Sequence, residues 1–475
     1  MTVSTQPETS WKEPGFLHAF ITLAAIIAVI STGLFILETS LHSLILVSLM
    51  IASVSAFSLG YDFRAVRDAM NSGITGALTA IYIFILIGVL IAAFIQSGTL
   101  ATLIYYGIEF VSPAIFLPAG LILCSLMSLA TGTSWGTVGT IGVVLMGIGT
   151  TMGIPAPLVA GMVISGACFG DKMSPVSDTT NLASMTSKVD LYAHIRGMLF
   201  TTGPAYILAL VVFSLMGLDY AENQLPTEQL SAMQVALQDT FTINALTLLP
   251  LIIMLALSTA RVAAEPSMMM ASSVAVVIAI FIQDQSLTTV LGSLYGGGSV
   301  RTGLESMDSL LGRGGITSMM WTLSLSLMAL ALGGILERCR FLRVLIHTVV
   351  TRIKRTSTLV TTTIIACFTG NMTMGEAYMS IILGGQLFSD AYDQKGVDSR
   401  VLSRSLEEGA TLTTALIPWT TGGAFFASTL GVAVIDYAPW ALLNWLSPVF
   451  AMVFAVMGFG LFGKDQNLQQ TSPAV

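Results

Sequence analysis

The stretch from Gly166 to Ala183 constrains this chain more than any other. An apolar helix is expected to run into it from about Pro155 to Gly170. Two carboxylates, an ammonium, a proline, an amide and four hydroxyls then follow between Asp171 and Asn181. Pro175 lacks a backbone donor and disfavours helix at Ser174, so the helix is expected to unwind there. Unwound backbone at membrane depth survives only where it is buried in protein or lines a watery cavity. Discontinuous helices of this kind build the ion and substrate sites of secondary transporters.

The surroundings place this break at membrane depth. Of the 475 residues, 54% are hydrophobic and 9% charged, against roughly 25% charged in a soluble protein. Apolar runs of about twenty residues recur along the chain, each long enough to span a bilayer as a helix. A transmembrane barrel would show short alternating segments instead. The expected class is an all-α polytopic membrane protein of about 10–14 membrane segments, with the lipid bilayer as a partner and no nucleic acid. Met1 to Gly15 carries one Lys and two Glu, not the basic start of a signal peptide, so Phe16 to Leu37 is expected to be a retained span. The four cysteines (Cys124, Cys168, Cys339, Cys367) show no CxxC spacing, and the histidines (His18, His42, His194, His347) no metal spacing, so no cofactor is expected and no metal beyond a transported cation.

Seven crossings are expected in the first half, at about 16–37, 41–59, 75–97, 114–130, 133–152, a broken 156–184 and 198–218. Seven more follow at about 241–258, 266–283, 316–337, 358–370, 372–389, a broken 405–430 and 441–462. The chain thus divides into an N-terminal tail (1–15), a first repeat (16–218), an acidic connector (219–240), a second repeat (241–463) and a C-terminal tail (464–475). Residues 98–113 read as a semi-apolar loop, and 284–315, with Gly296-Gly297-Gly298, as a flexible one. Three pairs support the doubling: Gly73-Ile74-Thr75 with Gly315-Ile316-Thr317 at an offset of 242, Thr131-Gly132 with Thr369-Gly370 at 238, and Pro175 with Pro418 at 243.

An odd number of crossings per half turns the second copy upside down. The charges agree. With both termini cytoplasmic, the loops at 60–72, 185–197, 338–357 and 390–404 face the cytoplasm and carry Lys or Arg, and those at 98–113, 153–155, 219–240 and 431–440 face outside and carry none. The loop at 284–315, with Arg301 and Arg313, is the exception. Treating 114–152 and 358–389 as re-entrant hairpins removes two crossings per half and leaves the inversion intact.

Four polar breaks carry the candidate chemistry. They are Thr131 to Thr137, with Ser134 at its centre; Thr369 to Glu376, with Asn371; the Asp171–Asn181 break, with Ser174, Ser177, Asp178 and Thr180; and Glu407 to Thr421, with Pro418 and Thr420. A hard cation such as sodium takes several oxygen ligands, which carbonyls, hydroxyls, amides and a carboxylate supply. A single Thr in a membrane helix usually bonds the preceding turn. Ionisable groups at depth cost roughly 2.5–3.5 kcal/mol each on insertion scales and default to function. Asp178, followed by Thr179, Thr180 and Asn181, is favoured as the ion ligand; Asp171 pairs with Lys172, meets water or joins the site; Glu376 is a candidate proton carrier; Glu407 and Glu408 follow an Arg-containing loop.

The run Gly170-Asp171-Lys172-Met173-Ser174-Pro175-Val176-Ser177-Asp178-Thr179-Thr180-Asn181-Leu182-Ala183 resembles the signature of the NhaC-type sodium/proton antiporter family. Thr131 to Thr137, the length and the apolar profile fit as well. The resemblance implies exchange of sodium for protons across a bacterial plasma membrane. It also implies the wider ion-transporter architecture: two inverted-topology repeats, each with a re-entrant hairpin and a broken helix, often as a homodimer. Thr131–Thr137 and Thr369–Glu376 would then be hairpin tips. Some relatives of this kind exchange malate for lactate, which would need a cation at depth, and Lys172 is the candidate anion contact. A membrane enzyme fits worse: Phe169-Gly170-Asp171 faintly resembles an intramembrane aspartyl protease, but Cys168 stands where a glycine belongs and Asp62 lies in a loop.

Overall fold

A computed structural model describes residues 11–462 except 77, 111, 176, 222–226, 261, 299, 304–307, 309–310 and 313. The expected C-terminal tail, most of the N-terminal tail and part of the connector lie outside the described residues, as does Arg313. The described chain is helical, with no strand among the described residues. The first half runs through α1 (Phe16–Phe35), α2 (Leu41–Ser58), α3 (Phe63–Thr75), α4 (Leu78–Gln96), α5 (Thr99–Phe110), α6 (Pro113–Thr131), α7 (Ser134–Thr137), α8 (Val143–Thr151), α9 (Ala156–Met173), α10 (Asp178–Thr186) and α11 (Leu191–Leu218). The second runs through α12 (Thr227–Thr240), α13 (Leu249–Thr259), α14 (Ala264–Phe281), α15 (Leu287–Gly296), α16 (Met320–Arg338), α17 (Phe341–Val350), α18 (Thr356–Met374), α19 (Ala377–Gln394), α20 (Ser399–Gly409), α21 (Thr411–Thr414), α22 (Thr421–Leu430), α23 (Val434–Tyr437) and α24 (Leu442–Met457).

Among the described residues, five helices are long and apolar enough to cross a membrane, and up to eight if each bent pair is one span. The larger number of crossings read from the sequence therefore includes broken ones, because polar residues and glycines interrupt several apolar runs. Lipid-facing character shows on the outside: Leu17, Val54 and Leu215 are 67%, 66% and 60% exposed. Several segments expected as loops are structured; 60–72 holds most of α3 and 338–357 holds α17. Residues 98–113 hold α5, bent 67° from α4 at Gly98. The connector holds α12, and 284–315 holds α15, packed on α4. After α15 the Gly315 N–H donates to the Gly88 carbonyl at 2.7 Å, so the glycines there permit close backbone approach and not a slack linker.

Two sharp corners repeat one local plan. α6 ends at Gly132 (φ 71°), Thr133 adopts extended backbone (φ −146°, ψ 123°), and α7 begins. α18 ends at Gly375 (φ 72°), Glu376 adopts φ −145° and ψ 131°, and α19 begins. Left-handed φ at a helix end is available to glycine without steric cost, which fixes both corners. The turn glycine matching Gly132 is thus Gly375, at the 243 offset of Pro175 and Pro418. Gly370, paired with Gly132 in the sequence, lies inside α18. The two breaks follow the same register. Ser177 precedes α10 in extended backbone and Thr420 caps α22, again 243 apart. α7 passes through one π-helical stretch, Val138–Gly142, before α8.

Small residues let the elements around the breaks approach. A methyl group on Gly170 of α9 would meet the Ser125 carbonyl and the Leu129 nitrogen of α6. Gly73 of α3 and Gly334 of α16 meet backbone to backbone in the same way. α10 packs on α19 and α20, and α9 on α24, so the two halves interlock at the breaks.

Candidate functional site

A cavity of about 880 Å³ opens between the corners and the breaks. Its wall is made by the first corner (Thr131 to Gly136), the first break (Asp171, Pro175, Ser177, Asp178, Asn181), the second corner (Glu376 to Tyr378), the second break (Thr411, Thr414, Thr421) and the start of α14 (Glu265, Ser267, Met268). Unwound backbone therefore lines a cavity, the condition for it to persist at depth.

Asp171 lies in the last turn of α9 and is buried at the wall. The Ser134 N–H and Oγ–H donate to its Oδ2 at 3.0 and 2.6 Å, and the Ser177 Oγ–H donates to Oδ1 at 2.6 Å. One carboxylate thus joins the first corner to the first break, with the positive end of α7 aimed at it. The second half uses the reverse arrangement. There the corner supplies the carboxylate: Glu376 Oε1 accepts from the Ala377 N–H at 2.9 Å, and Oε2 from the Thr421 Oγ–H at 2.5 Å. The Thr421 N–H also donates to the Gly375 carbonyl at 2.9 Å.

The remaining expected residues divide. Asp178 is exposed at the cavity wall as the first residue of α10. Asn181 and Thr131 also line it, and Asn181 donates to the Pro175 and Ser177 carbonyls at 2.9 and 2.8 Å, closing the break. The others are turned away from the cavity and brace the backbone. Ser174 donates to the Leu129 carbonyl at 2.8 Å, Thr180 to the Lys172 carbonyl at 3.0 Å, and Thr137 to the Thr133 carbonyl at 2.9 Å. Asn371 donates to the Ala410 carbonyl at 2.6 Å and to Thr413 Oγ1 at 3.0 Å. Thr420 caps α22 and donates to the Thr414 carbonyl at 2.6 Å. These residues satisfy the carbonyls that unwinding releases.

Lys172 does not face the cavity. Its Nζ lies 2.9 Å from Glu408 Oε1, both side chains fully buried, and Thr201 donates to the same oxygen at 2.7 Å. The pair ties α9 to α20. The described residues lining the cavity include four carboxylates (Asp171, Asp178, Glu265, Glu376) and no Lys, Arg or His.

The profile of the Na+/H+ antiporter family matches residues 166–459, a span that holds both breaks and the second corner. The chain is also 39% identical over 447 residues to the Na(+)/H(+) antiporter NhaC of Alkalihalophilus pseudofirmus, covering 94% of this chain and 96% of that one. The chain belongs to the Na+/H+ antiporter family. It is a membrane transporter and not an enzyme. Other relatives are named for other exchanges. The Malate-2H(+)/Na(+)-lactate antiporter of Bacillus subtilis is 36% identical over 454 residues, covering 96% of this chain and 97% of that one. The Arginine/ornithine antiporter ArcD of Halobacterium salinarum is 34% identical over 457 residues, covering 96% and 94%.

Within this family member, three features escape sequence reasoning. Thr421 becomes a partner of Glu376 only through the fold, although its register with Asp178 at the 243 offset was a signal. Glu265 lies just ahead of an expected crossing and reaches the cavity because α14 starts there. The Lys172–Glu408 pair spans 236 positions and has no local signature.

Proposed function

We propose that this protein exchanges sodium for protons across a bacterial plasma membrane by alternating access, with inverted halves and both termini cytoplasmic. The carrying observation is the charge of the cavity: four carboxylates and no basic side chain among its described lining residues. Such a wall attracts cations and repels organic anions. The Asp171 carboxylate, with the Ser134 and Ser177 hydroxyl oxygens, offers sodium a set of hard ligands from two unwound pieces of chain. Thr131 and Asn181 stand on the same wall. Asp178 was the favoured ligand on sequence grounds; its exposure beside Glu265 suits it to drawing cations in, and Asp171 to holding them. The family and the NhaC relative support the same substrates. A homodimer is the assembly that the resemblance implies.

Exchange of organic anions is less well supported. Lys172, the candidate anion contact, is committed to Glu408 behind the wall. The test uses purified protein in liposomes with a pH-sensitive dye inside. An outward sodium gradient is expected to acidify the lumen with no organic solute present. Acidification only when malate, lactate or arginine is added would overturn the proposal.

A further inference from the structure

Four carboxylates are buried at the corners and breaks, and three of them are furnished with donors. Asp171 accepts from two hydroxyls and a backbone N–H, Glu376 from a hydroxyl and a backbone N–H, and Glu408 has Lys172 and Thr201. Glu407 differs. It is fully buried in the last turn of α20, and neither of its oxygens has a hydrogen-bond partner among the described residues. One turn on, the Thr411 hydroxyl is the polar group nearest to it but makes no hydrogen bond of ordinary geometry, and the Thr414 hydroxyl has no partner among the described residues; both residues line the cavity.

The charged neighbours do not compensate it. From α9, Lys172 faces Glu407 but bonds Glu408 at 2.9 Å, and Asp171 and the neighbouring Glu408 each add a like charge. From α20 itself, Arg404 donates to the Gly197 and Gly460 carbonyls at 3.4 and 3.2 Å. The other packed elements bring neutral or distant groups. α19 contributes Tyr378, and Tyr392, whose hydroxyl bonds Ser405; α18 contributes Cys367; α11 contributes His194, bonded to Ser403; and α10 contributes only the exposed Asp178. α24 and α21 carry no titratable side chain.

An unpaired carboxylate in such a place is too costly to persist as the bare anion, and it takes a proton instead. As the neutral acid, Glu407 gains the one donor that the Thr411 oxygen one turn on can accept. We propose that Glu407 binds the proton that is exchanged, at a site separate from the sodium-holding Asp171. This rests on the antiporter reading above. When sodium binds at Asp171, the Glu407 O–H bond breaks and the proton passes by way of Thr411 to cavity water. The carboxylate charge left behind is balanced by the sodium ion. When sodium leaves on the other face, a proton from water there restores the acid.

The test compares two modes of the full-length protein in liposomes: exchange of labelled for unlabelled sodium, which needs no proton, and sodium-driven acidification. Glu407→Gln imitates the protonated acid. It is expected to retain sodium–sodium exchange well above protein-free liposomes, at a higher sodium concentration because the carboxylate charge that balances bound sodium is gone, and to lose sodium-driven acidification to the level of protein-free liposomes. Glu407→Asp is expected to keep both, with the pH profile of acidification displaced, and it carries the test should Glu407→Gln not purify as a single folded species. Wild-type acidification by Glu407→Gln, an undisplaced profile for Glu407→Asp, or loss of both modes by folded Glu407→Gln would overturn the proposal; the last would assign Glu407 to sodium itself. Absence of sodium-driven acidification in the wild type, with labelled sodium still exchanging, would instead overturn the parent reading, and this inference with it.

Discussion

Asp171 is held by three donors from two residues, the Ser134 N–H and the Ser134 and Ser177 hydroxyls, and each side chain carries a measurable share of the site. A hydrogen bond to a charged group is worth about 1.5–3 kcal/mol. Ser134→Ala and Ser177→Ala are each expected to raise the sodium concentration for half-maximal exchange by roughly tenfold or more, read from the sodium dependence of lumen acidification. The Lys172–Glu408 pair predicts a different signature. Removing one partner leaves a buried charge alone, at about 3–5 kcal/mol, whereas an apolar pair of similar volume is often neutral. Lys172→Met and Glu408→Met should each lower the melting temperature in detergent, and the double variant should recover most of the loss. Residue types were legible in the sequence: Asp171, Ser134, Ser177 and Glu376 all stood out as polar groups inside apolar runs. Their pairing was not, because Ser134 meets Asp171 across 37 positions and Lys172 meets Glu408 across 236, distances that only tertiary packing closes.

The elements are set by punctuation that a sequence shows only in part. Pro175 and the hydroxyls around it announced the first break, and the gaps after α9 and α21 bear that out. The corners were harder to place, because Gly370 and Gly375 are both plausible turn glycines and only backbone geometry separates them. Gly375→Ala must adopt φ near 72° and also press on Ala329. Gly132→Ala faces the same φ penalty, of about 1–2 kcal/mol. Both are expected to lower thermal stability, Gly375→Ala the more. Gly170→Ala, which would drive a methyl into the α6 backbone, should reduce the yield of folded protein more than Gly203→Ala, where nothing lies within 4 Å. Helices α5, α12 and α15 were hidden from sequence reading because their polar and small residues resemble those of loops.

At the scale of the whole molecule, the corners and breaks of both halves share one cavity, which is the geometry for alternating access. Thr131 lies on that wall, and Cys168 is the one native cysteine lining it among the described residues. In a Cys168→Ser background, Thr131→Cys is expected to react with an impermeant thiol reagent, and sodium should slow the reaction by occupying the neighbouring site. The measurement that tests the central claim most directly is sodium-driven acidification of liposomes by Asp171→Asn beside Asp178→Asn, with folding of each checked by gel filtration. The account predicts that Asp171→Asn abolishes acidification, and that Asp178→Asn only raises the sodium needed. Wild-type exchange by Asp171→Asn, with abolition by Asp178→Asn, would contradict it.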